Sequence, residues 1–171
     1  MKSLIIKVSA VIIAGAALAS CDTMASEKDS MYEVTITNIS HGEFFTPAIV
    51  ASHKKGTSLF TLGSPASAEL EMLAEGGDTN PLKNSLLGSG AALDVAQAGG
   101  ALPPGQSVTL TVRMNKDNDY ISFASMLVPS NDAFVAVNGI RVGKAKKTVT
   151  VYSPAYDAGS EINDELCVSI P

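Results

Sequence analysis

A chain of 171 residues, 46% of them hydrophobic, has apolar material for one ordinary core and not for a second. Aromatic residues make up 5%, Trp is absent and the formal charge is −5, so base-stacking platforms are scarce and phosphate backbones are repelled. Nucleic-acid binding is set aside on those grounds.

The chain opens on an address. "MKSLIIKVSAVIIAGAALASC" places Lys2 and Lys7 before an apolar stretch from Val8 to Leu18, followed by small residues and Cys21. That stretch has the length of a signal h-region and is short for a membrane span. Its ending, Leu18-Ala19-Ser20-Cys21, resembles the lipobox of bacterial lipoproteins, which implies a diacylglycerol on Cys21 and cleavage that makes it the first residue. The other reading is an ordinary secretory peptide cut at "ALA" or "LAS". Removing residues 1–20 leaves 10 basic against 17 acidic residues, a charge of −7. With Cys21 lipidated, Cys167 lacks an intramolecular partner, so stability comes from the core or from an ion rather than from a disulfide. Asp22 resembles the inner-membrane retention signal of some bacterial lipoproteins; periplasmic and surface-facing locations both stay open. "DTMASEKDS", residues 22–30, is polar and aperiodic and reads as a tether before a domain at 31–171.

"MYEVTITNIS" alternates Tyr32, Val34 and Ile36 with polar residues, the period of a half-buried strand. "SVTLTVRM" and "KTVTVYS" repeat that alternation, while "YISFASMLV" and "AFVAVNGIRV" are denser apolar runs suited to the middle of packed sheets. Residues 67–100 differ in texture. "SAELEMLAEGG", "NPLKNSLLGSG" and "AALDVAQAGG" are rich in Ala and Leu and broken by Gly, with Leu70, Leu73 and Ala74 at helical spacing, which predicts short helices each ended by Gly. The fold class expected is all-β: an antiparallel β-sandwich of about eight strands with a short helical insertion.

Two acidic places stand out. In "SMLVPSNDAF" an apolar run halts at Pro129, shows Ser130, Asn131 and Asp132, and returns to Phe134. In "AYDAGSEINDE", Asp157, Glu161, Asp164 and Glu165 surround Gly159. Oxygen-rich loops with a Gly in the bend suit a hard cation such as Ca²⁺, although the D-x-D-x-D-G pattern of an EF-hand is missing and solvated loop carboxylates fit the spacing too.

"MLVPSNDAFVAVNG" and "PAYDAGSEINDE", with "YEVTITNIS", "IVASHKKGTSLFTLGSPAS" and "LEMLAEGGD", resemble the spondin N-terminal domain, particularly its bacterial stand-alone versions, from about Tyr32 to about Glu165. The resemblance implies a C2-like antiparallel β-sandwich holding Ca²⁺ in loops at one end. Carried over by position, its ligands are Asp132 of P-S-x-D, and Asp157 and Glu161 of Y-D-A-G-x-[DE]. Animal members carry Asp at the last place, and Glu161 is one methylene longer. They also act in cell attachment alongside further modules that this sequence lacks, so adhesion enters as an analogy of class.

Other chemistry is thinly supplied. His41 and His53 are the two histidines, H-E-x-x-H and C-x-x-C are missing, and Ser64 and Ser89 fall short of G-x-S-x-G. His53, before Lys54 and Lys55, reads as a solvated loop residue; His41 and Glu43 read as turn residues. "KAKK", residues 144–147, reads as a hairpin tip or protected edge, with anionic lipid as a second reading. Cys167 is expected to be buried and inert. The expected function is a non-enzymatic, lipid-anchored, Ca²⁺-binding module with a protein or glycan ligand; the alternatives are an accessory subunit of an envelope complex and a serine hydrolase.

Overall fold

The structure is a computed structural model and describes residues 4–10, 29–142, 148–164 and 166–170, with the side chains of 4–10 and of 169 outside the description. In chain order the elements are β1 (Leu4–Ala10), β2 (Ser30–Thr37), β3 (Phe44–Phe45), β4 (Ile49–His53), α1 (Ala68–Gly76), α2 (Asn80–Gly88), β5 (Ala92–Gln97), β6 (Ser107–Met114), β7 (Tyr120–Val128), β8 (Ala133–Arg141), β9 (Val149–Ser153) and β10 (Ala155–Asp157), followed by a 3-10 turn at Cys167–Ser169. They form two antiparallel sheets ordered β6-β2-β1-β9 and β10-β8-β7-β4-β5, with β3 beside β7. The all-β sandwich with a helical insertion is thus the observed architecture.

Alternation decides which face each strand buries. Val34 and Ile36 of β2 and Val112 and Met114 of β6 point into the space between the sheets, where they meet Val50, Ile121, Phe123 and Val135. The second sheet carries apolar residues on its other face as well. Ile49, Ala51, Ala124, Phe134 and Ala136 pack there against Leu70, Leu73 and Ala74 of α1 and Leu82 and Leu86 of α2. A sheet covered on both faces needs continuous apolar runs, which is why every residue of β4 and seven consecutive residues of β7, 121–127, are buried.

Both helices follow their end signals. Ser67 caps α1 by accepting from the Leu70 N–H, and Gly77 (φ 68°) ends it, with N–H groups of Gly77 and Asp78 donating back to Leu73 and Met72. Pro81 sits in the first turn of α2. The third helix expected from the Ala-rich texture does not form: Ala92–Gln97 is strand β5, paired with β4. Six residues are too few for a stable helix, and the backbone of β4 otherwise lacks a partner on that side, so pairing overrides propensity. β4 itself, "IVASH", was not among the strands expected from alternation.

Leu4–Ala10 lies in the segment read as a signal sequence and forms β1, antiparallel to both β2 and β9. Cys21, the tether to residue 28 and "KAKK" fall outside the described residues. No helix among the described residues is long and apolar enough to cross a membrane.

Candidate metal centre

The loop between β7 and β8 is shaped by its own side chains. After the cis Val128–Pro129 peptide, the Ser130 hydroxyl donates to the Leu127 carbonyl and accepts the Ala133 N–H at 3.2 Å, closing residues 130–133 into a turn. Asp132 is held inside that turn, 1% exposed, far below the usual exposure of a carboxylate.

β10 brings the second loop to it. Ala155, Tyr156 and Asp157 pair with Val135, Phe134 and Ala133, so the Y-D-A-G stretch leaves the sheet beside Asp132. Asp157 Oδ1 accepts the Gly159 N–H at 2.7 Å across a bend in which Gly159 takes φ 71°, a left-handed value that favours glycine. The bend turns successive N–H groups inward: Asp132 Oδ2 accepts from Ser160 N at 3.0 Å and Glu161 N at 3.1 Å, with the Ser160 hydroxyl at 3.4 Å. The Ala158 N–H donates to the Asp132 carbonyl at 3.2 Å. Both loops are therefore tied through one buried carboxylate and its own backbone.

Asp157 and Glu161 are exposed. Asp157 Oδ2 accepts from Asn163 Nδ2 at 2.8 Å, and Asn131 Nδ2 lies 3.5 Å from both Asn163 Oδ1 and the Ile162 carbonyl. Ser160 and Asn163 went unread in the sequence, and Asn131 reads there only as a turn residue, because amides and hydroxyls are common in any loop. Asp164 accepts the Leu166 N–H, and Glu165 is outside the described residues. The donor set of Asp132, Asp157, Glu161 and Asn163 is all oxygen and of net negative charge, which fits a hard dication in its chemistry. Its convergence is less complete. Among the described residues no three His, Cys, Asp or Glu side chains gather closely enough to hold a metal. Asp132 Oδ2 and both oxygens of Asp157 already accept from N–H and amide groups.

A family model, Spondin_N, matches residues 23–163. The chain belongs to the Spondin_N family. Both loops lie inside that match, so the resemblance carried by P-S-x-D and Y-D-A-G-x-[DE] holds at the level of the family. No curated protein matches the chain.

Beside Asp157 the Spondin_N domain carries a small cleft of about 50 Å³, lined by Phe60, Leu62, Phe134 and Tyr156. The three rings pack against one another, Phe60 edge-on to Phe134 with centroids 5.3 Å apart and tilted against Tyr156 at 4.8 Å, while Phe134 and Tyr156 stack at 5.5 Å. Leu62, 74% exposed, forms an apolar lip.

Away from this end, two expectations are corrected. Cys167 is exposed rather than buried, because the chain past β10 does not return to the core. His53 is not in a solvated loop: it ends β4 and is fully buried. The Lys54 carbonyl lies 2.8 Å from Nδ1 and can only accept, so Nδ1 carries the proton and Nε2 accepts from the Ser122 hydroxyl at 2.8 Å, which in turn accepts the Gly139 N–H. Burial lowers the His53 pKa from its usual 6.5, partly offset by the Lys54 bond. The folded state therefore binds this proton less readily than the unfolded chain. His53 contributes stability that is complete above pH 6.5 and is lost as the pH falls below it toward the folded pKa, at up to about 1.4 kcal/mol per pH unit. Urea unfolding of wild type and His53→Gln between pH 7.5 and 5 is expected to show this slope in the wild type and a shallower one in the variant.

Proposed function

We propose that this protein is a lipid-anchored, non-catalytic module of the bacterial envelope whose end loops bind Ca²⁺ through Asp132, Asp157 and Glu161. The observation that carries the reading is Asp132: a carboxylate 1% exposed, at the junction of the two motif loops and bonded to the backbone of the loop that carries Asp157 and Glu161. Negative charge gathered at one end of a sandwich disfavours the closed loops, and a dication there offsets that repulsion. The ion then sets the shape of the adjoining cleft of Phe60, Leu62 and Tyr156, which offers aromatic and aliphatic surface to a protein or glycan ligand.

Calorimetric titration of the chelator-stripped protein tests the site. One Ca²⁺ per chain with a Kd of roughly 10 μM is expected, in the range of sensor-type oxygen sites, and Glu161→Ala should weaken it about tenfold. Heat of dilution alone in the wild type would remove the metal from the account.

A further inference from the structure

β1 sits where it cannot stay if the chain is processed at Cys21, and this inference rests on that reading of the address. Leu4–Ala10 fills the slot between β2 and β9. Ile6 and Val8 stand opposite Ile36 and Val34 on one side and Val151 and Val149 on the other. Val34 and Ile36 are fully buried and Val151 packs on the same core, so positions 4, 6 and 8 fall on the core-facing row, whereas Ile5 and Lys7 stand opposite the exposed Tyr152 and Thr150. Cleavage takes away a six-residue pairing with β2 and a five-residue pairing with β9, opening two strand edges and the core row beneath them.

The same chain carries a segment of matching pattern. Leu166-Cys167-Val168-Ser169-Ile170 repeats the phase of Leu4-Ile5-Ile6-Lys7-Val8, apolar at first, third and fifth places. It now lies on the surface with Leu166 55%, Val168 88% and Ile170 39% exposed, and its single 3-10 turn is closed by a 3.4 Å bond from Ile170 N to Cys167 O. The direction is also right. β1 enters the slot at the Ser153 end of β9 and runs antiparallel to it; β10 starts two residues past Ser153. The five steps from Glu161, the last residue held at Asp132, to Leu166 span up to about 16 Å at 3.3 Å per residue, more than the ~10 Å between packed sheets.

We propose that in the processed protein Leu166–Ile170 moves into the slot vacated by Leu4–Ala10 and pairs with β2 and β9 in the register of β1, Leu166 opposite Ser153 and Cys167 opposite Tyr152. The replacement comes from the same chain, because a short linker gives it a millimolar effective concentration that a second copy does not match. It covers Val34 and Ile36 and removes an exposed apolar stretch from the surface.

Tyr152→Cys tests this in the full gene product expressed in bacteria and purified from membranes, where Cys21 is blocked by lipid and the only thiols are at 152 and 167. Intact mass reports processing; diamide then takes up the two protons and two electrons released as two thiols join. The expected result is a processed mass and an intramolecular disulfide between position 152 and Cys167, about tenfold more abundant than for Thr109→Cys on β6. The Cys21→Ala chain, which keeps residues 1–20, should give none, since β1 holds the slot. A processed mass with no link, or with a linked dimer, overturns strand replacement while leaving the anchor intact. A mass that retains residues 1–20 with Cys21 present overturns both.

Discussion

Asp132→Ala lowers the free energy of unfolding by about 2–4 kcal/mol even in the presence of chelator. The carboxylate accepts from Ser160 N and Glu161 N while almost fully buried, so its removal leaves two inward-facing N–H groups without an acceptor and a small void between the loops. Asp157→Ala provides the contrast. That side chain is exposed and loses a bend bond to Gly159 and a contact with Asn163, worth about 1 kcal/mol together. Urea unfolding followed by circular dichroism separates the two. An Asp132→Ala midpoint equal to that of the wild type would mean the loops are not tied through this group.

Gly77→Ala is expected to cost about 2–4 kcal/mol, against about 1 kcal/mol for Gly90→Ala. Both glycines hold φ 68°, so both variants carry the left-handed strain of an L-residue. They differ in space. A Cβ at Gly90 meets nothing within 4 Å, whereas one at Gly77 would lie 2.7 Å from Thr46 Cγ2 and 2.8 Å from Thr46 Cβ. Thr46 is not free to yield, because its hydroxyl accepts the Met126 N–H and its own N–H donates to the Met126 carbonyl. The end of α1 is thereby fixed against the sheet that positions Asp132. Thermal melts of the two variants read the difference directly, and equal losses would show that Thr46 moves aside.

Strands whose two faces meet different surroundings were legible in the sequence. β2, β6 and β9 alternate because one face meets the core and the other water, and Leu70, Leu73 and Ala74 kept helical period because α1 lies on a sheet. β4 and β5 were not legible for the same physical reason in reverse. "IVASH" is buried on both sides and includes small residues together with Ser52 and His53, whose polar groups reach partners far along the chain, Arg113 O and Ser122. β5 is an edge strand, Ala-Leu-Asp-Val-Ala-Gln, with one β-branched residue, and is held by pairing with β4 rather than by its own propensity. At the site, the motif spacing located Asp132, Asp157 and Glu161, yet it could not convey that Asp132 faces backbone N–H groups of residues 160 and 161. That depends on the bend at Gly159 and on the pairing of β10 with β8, which bring together positions 28 and 29 residues apart.

Whether a cation completes the tie between the two loops is read from thermal melting of the purified protein in chelator and then in about 1 mM Ca²⁺, beside Asp132→Asn. A site of roughly 10 μM Kd stabilises the fold by about 2.7 kcal/mol under those conditions, a rise of roughly 5–15 °C for a domain of this size. That rise is expected in the wild type, with little or none in Asp132→Asn, which keeps a loop acceptor and loses the charge. Equal midpoints with and without Ca²⁺ in the wild type would contradict it, and would leave Asp132 as a purely hydrogen-bonded tie between the loops.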